Sequence, residues 1–228
     1  MYTFWRRVRS NWRRVDTWVF GGNTAALLLF AGNCYWHSVT ATYLACLLPL
    51  TLQAWASRND ATLRYAFWFG AIIGWSWPIG EGTVVRLVGW WGQYEAPGLR
   101  VWDTPLYCIL IGWLAGAYCL YVGRRVVELG YGRRGWALAS GSSALFIGTL
   151  GENLFVWSGM WEYYASPLHV GAVPVFLPLA YGLGYAALPL LAELPLVAMA
   201  LVFNVLMIVP TVGLGLLFGF FPRGGWFG

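Results

Sequence analysis

Two glutamates, Glu81 and Glu152, stand in apolar surroundings, each directly after a glycine. The first opens "GEGTVVRLVGWWGQYEAPGLRVWDTPLY" and the second "GENLFVWSGMWEYYASPLHVGAVPVF". In both, W-x-x-Y-x-x-P follows the acid, and a further proline follows that. The spacing matches Glu81 with Glu152, Trp91 with Trp161, Tyr94 with Tyr164, Pro97 with Pro167 and Pro105 with Pro174. An unpartnered charged carboxylate in hydrocarbon costs a few kcal/mol, so such an acid is expected to be bonded or neutral. A neutral carboxyl is a proton donor. Tryptophan and tyrosine add flat walls whose faces attract cations. An acid beside aromatic faces suits protonation of a carbon–carbon double bond or an epoxide, with the rings stabilising the carbocation and a second carboxylate taking a proton or activating water. On this reading Glu152 is the proton donor and Glu81 its counterpart, with Trp91, Tyr94, Trp157, Trp161 and Tyr164 as walls. The plainer reading makes the aromatics interfacial anchors and pairs Glu81 with Arg86, five residues on; no arginine is close to Glu152 in sequence.

The rest of the chain restricts the setting. Of 228 residues, 59% are apolar and only 10% charged, with a mean hydropathy of +0.60. That leaves too little polar surface to coat a soluble globule, which carries about 25% charged residues. The fourteen basic residues are all arginine, so chemistry through a lysine Schiff base is excluded. His37 and His169 are the only histidines, too few for a multi-histidine metal centre, and both fall in loops. The cysteines (Cys34, Cys46, Cys108, Cys119) form no CxxC pair and read as small buried hydrophobes. There is no G-x-x-x-x-G-K-[ST] loop and no aspartate-rich diphosphate site, so no cofactor, no metal and no nucleic acid is expected.

Positioning these residues falls to helices. Residues 1–16 read as a basic amphipathic helix at the membrane surface. Residues 17–228 read as one all-α polytopic bundle of about seven membrane spans, over 17–36, 38–57, 65–88, 105–123, 135–157, 171–191 and 196–220. The two motif copies make spans 3–4 (65–123) and 5–6 (135–191) an internal repeat of helix pairs. With a cytoplasmic N-terminus, eleven arginines fall on the cytoplasmic side, leaving Arg86, Arg100 and Arg223 opposite. That is the positive-inside pattern, with the C-terminus outside, of a bacterial inner-membrane protein. Asp103, Glu95 and Glu162 read as loop charges, Glu193 as a helix-start acid, and Asn204 as an interhelical hydrogen bonder.

The second copy, a glutamate followed by G-x-W-x-Y-Y and then "GAVPVFLPLAY", resembles the carotenoid hydratase family of small polytopic membrane proteins. In length, span number and acids near one face, the chain is also similar to the integral-membrane terpene cyclases of meroterpenoid pathways. These resemblances imply a cofactor-independent enzyme that acts on a polyisoprenoid lipid by acid-initiated cyclisation or hydration, with the acid roles on Glu81 and Glu152. One alternative is a non-catalytic, pigment- or quinone-associated subunit of a larger membrane complex. A small-solute transporter is the other.

Overall fold

The computed structural model describes residues 2–82, 92–94, 97–102, 104–163 and 168–219. They form an α-helical bundle: α1 (Tyr2–Ser10), α2 (Arg14–Trp36), α3 (Val39–Ser57), α4 (Ala61–Trp77), α5 (Leu106–Glu128), α6 (Gly132–Trp157), α7 (Phe176–Ala186) and α8 (Leu196–Leu217). A π-helical turn, Pro78–Gly82, extends α4, and a 3-10 turn, Leu188–Leu191, follows α7. Over the described residues the apolar segments read from sequence thus coincide with helices; residues 83–88 of the third segment and 220 of the last lie outside them. The sixth differs at its start: residues 169–174 form a hairpin, and α7 begins only at Phe176. Among the described residues three helices, α3, α5 and α8, are long and apolar enough to cross a membrane.

Polar residues at the turns set the helix starts. Ser38 accepts from the Ala41 amide at the head of α3, and Asp60 accepts from the Leu63 amide at the head of α4. These caps satisfy amides that no carbonyl of the first turn can reach.

The arginine-rich end is closed by a buried ionic cluster. Asp16, at the start of α2 and 2% exposed, accepts from Arg125 Nε at 3.0 Å and Nη2 at 3.1 Å, from the Tyr121 hydroxyl at 2.5 Å and from the Arg13 amide at 2.7 Å. Arg125 also pairs with Glu128, and Arg13 bridges Glu128 and Asp60. These contacts tie the α1–α2 linker, the α3–α4 turn and the end of α5 together. Nearby, Arg133 pairs with Glu193, so the acid expected only to start a helix also holds the first turn of α6 to the α7–α8 turn.

Three two-stranded ladders lie at the opposite end, where α4 leads to α5 and α6 to α7. The first pairs β1 (Gly92–Tyr94) with β4 (Trp161–Tyr163) in antiparallel register, Gly92 opposite Tyr163 and Tyr94 opposite Trp161. The others are hairpins: β2 (Arg100–Val101) with β3 (Thr104–Pro105), and β5 (His169–Val170) with β6 (Val173–Pro174). His37 also lies at this end, beside Gly159, and both histidines are exposed. All four cysteines are free, three of them buried.

Helices α4 and α5 pack backbone to backbone. A Cβ on Gly70 would meet the Trp113 carbonyl oxygen and stand 2.7 Å from the Ala117 nitrogen. Helices α6 and α7 approach similarly, where a Cβ on Gly141 would stand 2.8 Å from the Gly182 carbonyl oxygen and 2.9 Å from Ala186 Cβ. Small residues let helices approach this closely in a lipid solvent, where packing replaces the hydrophobic drive. Gly70→Val is therefore expected to destabilise by about 1–3 kcal/mol or more, read as a lowered melting temperature in detergent. Val at Gly80, where a Cβ meets nothing within 4 Å, is the neutral control.

Candidate active site

Glu152 lies in the penultimate turn of α6. It lines a cavity of about 160 Å3 enclosed by α2, α4, α5, α6, β4 and α7. The walls are nearly all apolar or aromatic, among them Phe30, Trp77, Phe155, Trp161, Tyr163 and Tyr181. The Tyr163 hydroxyl donates to Glu152 Oε2 at 2.6 Å, and the Tyr181 hydroxyl donates to Oε1 at 2.8 Å. Among the described residues, no arginine pairs with Glu152. The carboxyl therefore faces an apolar chamber with one phenol on each oxygen, an arrangement that can receive or release a proton while holding the anion in place.

Local sequence explains the placement. Gly148 is one helical turn before Glu152, on the same face of α6. The Tyr181 ring lies against it so closely that a Cβ there would come within 2.5 Å of Cδ2. That clearance lets an α7 tyrosine cross onto α6 and reach the carboxyl. The neighbouring Asn153 anchors the other side. Its Nδ2 donates to the Thr149 and Val170 carbonyls, and its Oδ1 accepts from the Ala172 amide at 2.7 Å. It thereby fixes the β5–β6 turn against α6, where Gly171 takes a left-handed φ of +67°.

The residues expected from sequence are distributed unevenly. Glu152 and Trp161 line the cavity together. Trp157 is 52% exposed at the end of α6 and lines neither this cavity nor the one beside it; four residues short of β4, its ring points out of the bundle. Trp91 and Tyr164 lie outside the described residues, and Glu81 and Tyr94 are described in backbone only. The phenols on Glu152, Tyr163 and Tyr181, are not among the residues that sequence spacing selects. Tyr181 shows only as the end of "GAVPVFLPLAY", and W-x-x-Y spacing favours Tyr164 over Tyr163. Among the described residues no cluster of His, Cys, Asp or Glu could hold a metal ion.

A second cavity, of about 280 Å3, adjoins the first and shares Trp77, Tyr163 and Tyr181 with it. Together the two have the ~300–1,000 Å3 scale of small-molecule sites. Comparison of this chain with protein-family models, curated proteins and solved structures finds no match.

Proposed function

We propose that this chain is a seven-span membrane enzyme that protonates an unsaturated or epoxidised isoprenoid lipid, with Glu152 as the acid. The observation that carries the proposal is a carboxyl in the wall of an aromatic, otherwise apolar chamber, held by two phenols and by no cation among the described residues. With a double bond, the Glu152 O–H bond breaks as the substrate π pair forms a C–H bond; with an epoxide, the proton goes to the ring oxygen as a C–O bond breaks; either leaves positive charge on a tertiary carbon. Trp77, Trp161 and Phe155 line the chamber and supply aromatic rings of the kind that stabilise such a cation. A second double bond closes a ring and a carbon-bound proton is returned to the Glu152 carboxylate, directly or by way of Glu81 and solvent, or water adds and returns its proton to the Glu152 carboxylate. Either course leaves the enzyme unchanged and needs no cofactor. The Tyr163 and Tyr181 hydroxyls hold the carboxylate while its proton is on the substrate. Glu81 remains the proposed counterpart.

The seven spans are the apolar runs of α2 to α8, the first beginning at residue 17, with the arginine-rich turns on one side and the ladders on the other. Glycine and polar residues lower the hydropathy of α2 and α6, whereas α4 and α7 are as apolar as α3 and α5 but shorter. Glu81 and Glu152, before the hairpins, stand 71 residues apart, and from the hairpins onward the helix-pair repeat is supported by an offset of 69 residues. It relates Arg100 to His169 and Pro105 to Pro174 in the hairpin registers, and left-handed Trp102 to left-handed Gly171. It also relates Ala117 to Ala186, each 2.9 Å from where a Cβ on the facing glycine would stand. The β1–β4 ladder then pairs equivalent strands about Gln93 and Glu162, as a two-fold contact does. On this offset Tyr94 corresponds to Tyr163, in place of Tyr164.

Turnover in deuterium oxide tests the chemistry. Protein in nanodiscs supplied with lycopene is expected to give a cyclised or hydrated product carrying one solvent-derived deuterium on carbon, whereas a terminal epoxide of farnesol is expected to give a ring-opened product whose initiating deuteron sits on the new hydroxyl. Product formed from lycopene without deuterium on carbon would count against acid initiation at a double bond. Absence of turnover across both probes would remove this substrate class.

A further inference from the structure

The second cavity carries one polar feature that the proposed chemistry does not use. It lies between the end of α4, α7 and α8, and its outer wall includes Ile79, Leu201, Val205 and Ile208, all exposed on the outside of the bundle. It therefore opens sideways, toward the lipid of the proposed membrane. Its inner wall is Trp77, Tyr163 and Tyr181, which it shares with the Glu152 chamber. In this apolar passage stands Asn204, in the middle of the very apolar α8. The Asn204 Nδ2 donates to Ser76 Oγ, and Ser76 in turn donates to the Ile72 carbonyl. The amide oxygen and second amide hydrogen of Asn204 are uncommitted among the described residues.

A carboxamide in mid-span is costly unless its groups are satisfied, and one interhelical hydrogen bond uses a single hydrogen of this one. Packing α8 onto α4 through Ser76 leaves the rest of the amide facing a chamber large enough for a ligand. We propose that this second cavity is the lateral access chamber for the substrate, and that Asn204 holds a hydroxyl or carbonyl oxygen at one end of an oxygenated isoprenoid while an unsaturated carbon further along reaches Glu152. This rests on the isoprenoid reading of the Glu152 site and narrows it. Pure hydrocarbons would fit the walls but leave the amide unanswered, and a site built to bond an oxygen discriminates against analogues that lack it.

Tritiated farnesol and tritiated farnesene, which share the C15 skeleton but differ in the hydroxyl, are titrated against the full chain in nanodiscs. Farnesol is expected to bind about 3- to 10-fold tighter, the scale of one net hydrogen bond. Asn204→Leu is expected to erase that preference and leave farnesene binding unchanged. Val205→Trp, at a position 64% exposed at the chamber mouth, is expected to slow association of both probes. Equal wild-type affinities overturn the proposal, as does a farnesol preference that survives Asn204→Leu. If Asn204→Leu does not assemble, Val205→Trp decides, because unaltered association of both probes in that variant overturns the access role. These readouts are binding, so Glu152→Gln protein that kept full turnover would remove the acid reading and leave them standing.

Discussion

Glu152→Gln is expected to lower product formation by about 10^2–10^4-fold, the usual contribution of a positioned general acid, while protein level, melting temperature and farnesol binding stay near wild type. Glutamine keeps the shape and can accept from one phenol, so the Tyr163 and Tyr181 contacts lose one acceptor at most. It cannot supply a proton to carbon. Tyr163→Phe and Tyr181→Phe remove one donor each from the anion left by proton transfer, and each is expected to cost less than the glutamate change. The informative pattern is a fall in kcat with KM little changed, since the phenols act on charge that develops during the reaction and not on the bound lipid. Full activity in Glu152→Gln would end the acid assignment. A melting temperature that falls with activity in all three variants would make the triad a structural anchor.

Asp16→Ala is expected to be the most destabilising single change at the arginine-rich end, by about 3–5 kcal/mol. It leaves Arg125 and the Tyr121 hydroxyl buried without their shared acceptor and removes the Arg13 amide contact. Asp16 stands just before the apolar run 17–36. Burial pushes its carboxyl up, but the hydrogen bonds from Arg125, Tyr121 and the Arg13 amide outweigh this and hold it below the usual value. A carboxyl lowered in the folded state contributes its full stability above the unfolded value of about 3.9 and loses it as pH falls through the folded value. Melting temperature in detergent should therefore drop on acidification below about pH 4, and Asp16→Asn should lack that part of the drop. A wild-type acid limb reproduced in Asp16→Asn would assign it to other carboxyls.

Several parts of this protein are legible in its sequence because they depend on composition and period. Apolar runs near twenty residues favour helices, since a backbone in lipid must satisfy its own polar groups, and α2 to α8 fall where those runs lie. Glu152 and Trp161 stand out as an acid and a large aromatic in a stretch short of charge, and they line one cavity. Asn204 is expected to bond across helices, and it does so through Ser76. The choice of tyrosine is less legible. In "WEYY" the two tyrosines are nearly equivalent to a spacing rule, and only the folded chain shows Tyr163 bonded to Glu152. Trp157 misleads for a related reason: near the acid in sequence, it lies on the other face of α6.

By itself, the sequence determined the helical class, the place of each apolar helix and the presence of an acid among aromatics, because hydrophobic length and residue type act locally. Only the tertiary structure decided the partners. Tyr181 reaches Glu152 from another helix because Gly148 leaves the space. Asp16 finds Arg125 across 109 residues because α2 and α5 meet at their polar ends. Such contacts depend on which surfaces pack together, a property of the whole bundle and not of any segment.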